Sequence, residues 1–329
     1  MHPILKTQWE RLHPPVGLNQ DVAETLLRQC AINAPLVAIE WLGTGCANTN
    51  YKLTFASAKP LVLRIYQREH HSLAREIAIY RRLAGIIPAP TLLHSSNDGE
   101  VIKQPWALLE WIDGKLMRDV LMGGDDAVAG ECAFSAGQAL TRLRHIGFSQ
   151  GGFFEQGLCV RPFSPAETYY PFAMARLHRP PVQEALGAAW VERIHQVLQE
   201  SRSWLPAVNP ANLTHADFDP SNILVEQHRG VWRVKAVLDW EFALASSYLL
   251  DVGLFLRYDY GLPTTYRQRF AEGLRSDGSP LPSHWLASAK LMDLLCLLQL
   301  LSDNPVHLRP NLHLDVGALI RRTIRSWPP

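Results

Sequence analysis

The sequence predicts an α+β protein of two lobes, a small β-rich N-terminal lobe over residues 1–112 and a larger, mostly helical one over 113–329. Runs with strand character crowd the first third of the chain. Helical periodicity dominates the remainder. A length of 329 residues is enough to bury a sizeable core and to build two lobes.

Taken in order, Asn19 or Asp21 can cap a helix that runs to about Ile32, with Val22, Leu26, Leu27 and Cys30 on one face. Strands are expected over 36–42, 51–55 and 61–66, then a helix over 72–83. Pro88 and Pro90 break the chain, and a further strand over 106–112 ends at the turn signal Asp113-Gly114. Helices are expected over 127–145, 182–204, 264–274, 282–301 and about 314–327. Within this helical part, 222–225 and 232–238 read as two strands joined at Gln227-His228-Arg229-Gly230, a polar stretch whose glycine suits a hairpin turn.

That hairpin carries the densest chemical signal in the chain. The run Leu213-Thr214-His215-Ala216-Asp217-Phe218-Asp219-Pro220-Ser221-Asn222 contains H-x-D-x-x-x-x-N, and Val237-Leu238-Asp239-Trp240-Glu241 closes the second strand. The spacing sets Asp217 to accept a proton from an incoming hydroxyl, while the Asn222 amide oxygen and the Asp239 carboxylate offer hard donors to a magnesium ion. The alternative is a surface loop whose Asp and Asn only cap turns. The hairpin and the apolar-Asp-Trp-Glu sequence at its far end weigh against it.

These residues resemble the aminoglycoside phosphotransferase and choline kinase superfamily, small-molecule kinases with a protein-kinase-like two-lobe fold; the likeness runs from about Leu42 to about Leu256. It implies ATP as phosphoryl donor, Mg2+ as cofactor, Asp217 as catalytic base, Asn222 and Asp239 as metal ligands, and His215 as an organiser of the loop. It also implies a fourth strand near Thr91-Leu92-Leu93 and a role for Asp251 in steadying the catalytic loop. The protein-kinase branch fits less well, because Trp240-Glu241 follows Asp239 and no A-P-E sequence lies downstream.

On the nucleotide side, Gly43-Thr44-Gly45 joins two strands, either as a plain hairpin turn or as a backbone cradle for phosphates. Gly45, Asn48 and Tyr51 form G-x-x-N-x-x-Y, which resembles the nucleotide loop of the aminoglycoside phosphotransferases. Arg64 stands where that family usually carries a phosphate-binding lysine; it is either a solvent-facing strand residue or an inward cation able to grip phosphate with two N–H donors. Glu76 on the 72–83 helix is its natural partner, with Glu69 competing. The connector from Glu110 to Ile112 is either an ordinary strand end or, by the resemblance, the hinge whose backbone pairs with adenine.

Composition excludes other classes. A net charge of +1 supplies no field for nucleic acid or an anionic membrane. Five scattered cysteines, with no C-x-x-C pair, argue against a disulfide framework and a zinc site and point to a reducing compartment. Polar residues near the start argue against a signal peptide, and 291–301 is too short and too interrupted to span a bilayer, so a cytoplasmic location is expected. After Leu256 basic residues outnumber acidic ones, which disfavours a polycationic acceptor; amino alcohols, sugars, nucleosides and antibiotics stay open. Trp240, Tyr248, Tyr258 and Tyr260 offer either an aromatic acceptor surface or core packing, and Asp259 reads as solvated surface. The rival readings are a nucleotide-binding pseudokinase scaffold and an aminoglycoside antibiotic kinase.

Overall fold

The computed structural model describes residues 5–43, 47–68 and 72–329, which fall into two compact units. One comprises Arg11–Asp113 with Glu155–Leu158, the other the residues up to Glu10, Gly114–Phe154 and Cys159–Pro329. Residues 5–10, which the sequence division put with the N-terminal lobe, thus pack with the helical unit.

In the first unit, α1 (Gln20–Gln29) begins where the Asn19 side chain accepts the Val22 N–H at 2.9 Å. The strands β1 (Leu36–Trp41), β2 (Thr49–Phe55) and β3 (Leu61–Ile65) follow, then α2 (Ser72–Leu83), β4 (Leu92–Ser96) and β5 (Trp106–Glu110). The strands make one antiparallel sheet of order β1-β2-β3-β5-β4. Every second residue of β2 is buried, Thr49, Tyr51, Leu53 and Phe55, as a strand with one face on a core requires. Leu53, Leu63, Ile65 and Leu108 pack with Leu26 and Leu27 of α1.

The second unit runs β6 (Lys115–Leu116), α3 (Met117–Leu121), α4 (Asp126–Arg144), β7 (Gly147–Phe148), β8 (Gly152–Phe154), β9 (Val160–Pro162), α5 (Tyr169–Leu177), α6 (Pro180–Leu186) and α7 (Ala188–Glu200). The chain continues through β10 (Ala211–Thr214), β11 (Ile223–His228), β12 (Val231–Val237), β13 (Leu244–Ser246), α8 (Leu249–Phe255), α9 (Thr264–Leu274), α10 (Trp285–Asp303) and α11 (Pro310–Arg325). The single helix expected over 182–204 is broken at Gly187, whose φ of 84° lies outside helical geometry and is open to glycine. Helix α10 is long and apolar enough to cross a membrane, yet Leu291, Leu294, Leu298 and Leu301 are buried in the core of this unit.

That core fixes α8, and with it Asp251. A Cβ added at Gly253 would stand 2.1 Å from the Ala289 carbonyl oxygen of α10, so α8 lies against α10 backbone to backbone. Gly253→Ala should lower the unfolding free energy by about 1–3 kcal/mol through forced separation of the two helices. Urea denaturation measures this; an unchanged midpoint would show that the crossing has room.

Candidate active site

The hairpin of β11 and β12 turns at Arg229 and Gly230, with φ of 53° and 82° between the paired residues His228 and Val231. Two successive positive φ values match the twist of the strands and hold the register. At the open end the Leu238 N–H donates to the Asn222 carbonyl at 2.8 Å, which ties the approach to Asp239 to the loop that carries Asn222. The sequence expected that return, and the bond is its physical form.

His215 ties the same ends through its side chain. Its Nδ1 accepts the Asp217 N–H at 3.2 Å and its Nε2–H donates to the Leu238 carbonyl at 2.8 Å, so the imidazole is used as one acceptor and one donor. Burial pushes its pKa down, against the pull of Asp217, and the neutral ring this pattern needs is favoured. The ring packs on Trp240 with centroids 4.4 Å apart. Trp240 is fully buried, so of its two readings core packing describes it and an acceptor surface does not.

Two residues bend the backbone into the left-handed region at this site, Ala216 and Asp239, each with φ of 62°. Ala216 has no polar side chain to favour that conformation locally, so the surroundings must hold it. Asp251 does so: its Oδ2 accepts the His215 N–H and its Oδ1 the Ala216 N–H, both at 2.8 Å. The loop-steadying place implied by resemblance is the one the carboxylate takes.

Asn222 donates from Nδ2 to the Asp217 carbonyl at 2.9 Å and to Asp217 Oδ2 at 2.8 Å, which leaves its amide oxygen on the opposite side. With the Asp239 carboxylate, that oxygen gives a donor set of the hard type magnesium takes. Among the described residues no three His, Cys, Asp or Glu side chains gather as an all-protein metal cage. A magnesium ion that keeps phosphate oxygens and water as its other ligands needs only these two.

A further side chain, Lys6, reaches Asp217. Lys6 Nζ lies 2.6 Å from Asp217 Oδ1 and also pairs with Asp219, whose Oδ1 accepts the Ser221 N–H at 2.8 Å. Burial is the largest single influence and works to raise the Asp217 pKa, but the Lys6 charge, the hydrogen bond from Lys6 and the nearby His215 together outweigh it and the net shift is downward. Sequence reasoning passed over both Lys6 and Asp219. Asp219 had a signal in its place within the loop, whereas Lys6 meets Asp217 across 211 residues of chain.

In the sheet unit, Arg64 is buried on β3 and its Nε stands 3.3 Å from Glu76 Oε2 on α2. The inward alternative for Arg64 therefore describes its position, and Glu76 is its partner; Glu69 lies outside the described residues, as does Gly45. Tyr66 also donates to the Glu76 carboxylate, and the Arg64 guanidinium lies 5.2 Å from the Tyr66 ring centroid. Gly43 follows β1. Asn48 is buried, its Oδ1 accepting the Gln67 N–H at 3.2 Å, so its side chain shapes the turn from inside. The Glu110 N–H donates to the Thr91 carbonyl at 2.9 Å, which commits that donor within the sheet; Ile112 lies just beyond the strand.

The model of the phosphotransferase enzyme family matches residues 39–285, most of the chain. The chain belongs to the phosphotransferase enzyme family. Aminoglycoside phosphotransferase APH(4)-Ia has the same fold, with a TM-score of 0.68 at 18% identity over 94% of this chain and 100% of that one. Aminoglycoside 2'-phosphotransferase-IIIa, solved with GDP, superposes with a TM-score of 0.71 at 12% identity over 94% and 99% of the two chains. Both likenesses establish the kinase-like α+β fold. A curated relative, acyl-CoA dehydrogenase family member 10 of Mus musculus, is 24% identical over 229 residues, 68% of this chain. The match spans about one fifth of that relative's length, 20%.

Proposed function

We propose that this protein is an ATP-dependent, magnesium-requiring O-kinase that moves the γ-phosphoryl group directly to a hydroxyl of a compact, neutral or singly charged small molecule. The observation that carries the reading is the loop on which Asn222 holds Asp217 Oδ2, leaving Oδ1 as the oxygen toward which an acceptor proton must move. In this reading the acceptor hydroxyl gives its proton to Asp217 Oδ1 as its oxygen attacks phosphorus, and ADP leaves in line. Asn222 and Asp239 would hold magnesium, which neutralises charge on the phosphates. Arg64, oriented by Glu76, would grip phosphate oxygens.

Charge accounting supports a compact acceptor. Each acidic side chain after Leu256 already has a partner in this chain: Asp259 pairs with Lys290, Glu272 with Arg269, Asp277 with Arg144, Asp293 with Arg257, Asp303 with Arg176, and Asp315 accepts from Trp9 and Tyr258. Asp259 is thus paired, not the solvated surface residue expected. A multiply charged aminoglycoside would have to displace these partners before its own charges were compensated. ADP release measured over matched panels of amino alcohols, sugars, nucleosides and aminoglycosides tests the reading. Highest kcat/KM on the aminoglycosides would return the protein to the antibiotic-kinase alternative.

The metal assignment has its own expected result. Asp239→Ala should abolish magnesium-dependent ATP binding, and Asn222→Ala should raise the magnesium needed for half-maximal rate, since each removes an oxygen ligand from a hydrated ion. Calorimetry with ATP at varied magnesium measures both. Unchanged metal dependence in the two variants would remove these residues from the metal site.

A further inference from the structure

Lys6 covers the one oxygen the reaction needs. Asp217 Oδ2 is held by Asn222, and Oδ1, the remaining oxygen, is bonded to the Lys6 ammonium at 2.6 Å. The Lys6 side chain is 12% exposed and also pairs with Asp219, so the charge sits inside the site and not over its rim. The segment around it is anchored at three further points. Leu5 is buried in the core of the helical unit. Trp9 donates from Nε1 to Asp315 at 2.9 Å. The Glu10 carboxylate accepts the Asn311 N–H at 2.7 Å and the Leu312 N–H at 3.3 Å, in the first turn of α11. Leu5 and Lys6 meanwhile have φ of 45° and 60°, a left-handed conformation that a leucine and a lysine leave readily when their anchors let go.

We infer that residues 5–10 form an intrasteric strap: Lys6 occupies the place of the acceptor hydroxyl on Asp217, holds the resting enzyme against transfer to water, and must be displaced for turnover. The inference rests on the proposed base role of Asp217. It also gives the ammonium a specificity consequence, because an acceptor has to exchange with a cation that two carboxylates retain. Those carboxylates keep Lys6 charged, raising its pKa against the opposing effect of burial.

The test uses the full chain and two readouts. Lys6 should be acylated by acetic anhydride at least about tenfold more slowly than the exposed Lys59, as expected when a reactive, displaced state is populated at about a tenth or less. By the same population argument, Lys6→Met should raise acceptor-free ADP release from magnesium-ATP about tenfold. Trp9→Ala, which loosens the anchor while keeping the ammonium, should act in the same direction and less strongly, and thermal melts show that both variants are folded. Lys6 labelled at the Lys59 rate overturns the strap whatever the turnover. Protected Lys6 with release unchanged or lowered in both variants also overturns it, and makes Lys6 a supporting residue of the base. Protected Lys6 with no ADP release from any variant on any acceptor overturns the kinase reading, and inhibition with it.

Discussion

Asp217→Asn should lower kcat by about 10²-fold or more, the loss typical of removing a general base, with ATP affinity nearly intact and the fold retained. The amide keeps the size of the carboxylate and can still meet Asn222, but it cannot take a proton from a hydroxyl. A KM-against-kcat split follows, since the loss lies in the transition state and not in the binding of either substrate. Steady-state kinetics with the best acceptor of the panel, together with calorimetry for ATP, separate the two effects. Near-normal turnover would move the base role to Asp219, the other carboxylate on Lys6. That outcome is physically less favoured, because Asp219 Oδ1 already accepts from both the N–H and the hydroxyl of Ser221.

Metal and base predictions bear on each other through Asn222. Its Nδ2 holds Asp217 while its oxygen is assigned to magnesium, so Asn222→Ala disturbs both groups at once. Asp239→Ala removes one ligand and leaves the Asn222–Asp217 contact in place. A fall in kcat larger for Asn222→Ala than its change in magnesium dependence accounts for would measure how far Asn222 positions the base.

Much of this site was legible because it is local. H-x-D-x-x-x-x-N places Asp217 and Asn222 within one turn of chain, and the polar turn ending in Gly230 announced the hairpin that returns the chain to Asp239. β2 was equally plain, since alternating burial is written directly into its residues, whereas β4 was expected only from the resemblance. Pieces too short to show a period, such as α3 and β6 to β9, were not distinguishable from loop. Gly187 hid a break, because a glycine inside a helical pattern reads as tolerated until its φ is known. Trp240 stayed open between two readings for a different reason. Sequence adjacency to Asp239 says nothing of which side of the backbone an indole takes, and this one packs on His215 with its Nε1–H on the Val237 carbonyl. Lys6 carried no signal, since only the folded chain brings it to Asp217.

Asp251→Ala should be the most destabilising single change at the site and should also slow catalysis. The carboxylate is fully buried, and its removal leaves the N–H groups of His215 and Ala216 without their acceptor. A buried donor left unsatisfied costs about 1–3 kcal/mol, so the pair costs about 2–6 kcal/mol. That is a large part of the 5–15 kcal/mol, roughly, that holds a typical domain folded. Ala216 would then be free to relax from its φ of 62°, carrying Asp217 away from Asn222, so kcat should fall in whatever protein remains folded. The pH dependence has a definite sign. Burial pushes the Asp251 carboxyl up to about 7, against the two N–H donors that pull it down. A carboxyl raised in the folded state contributes stability that is fully present below its ordinary value of 3.8 and is lost as pH rises through about 7. The gap in unfolding free energy between wild type and Asp251→Ala should therefore narrow as pH rises from about 3.8 to about 7 and change little above that. Urea unfolding at a series of pH values measures the gap, and kcat at each pH follows the loop. Wild-type stability and turnover in Asp251→Ala would mean that the side-chain bonds of His215 suffice to hold the left-handed turn ahead of Asp217.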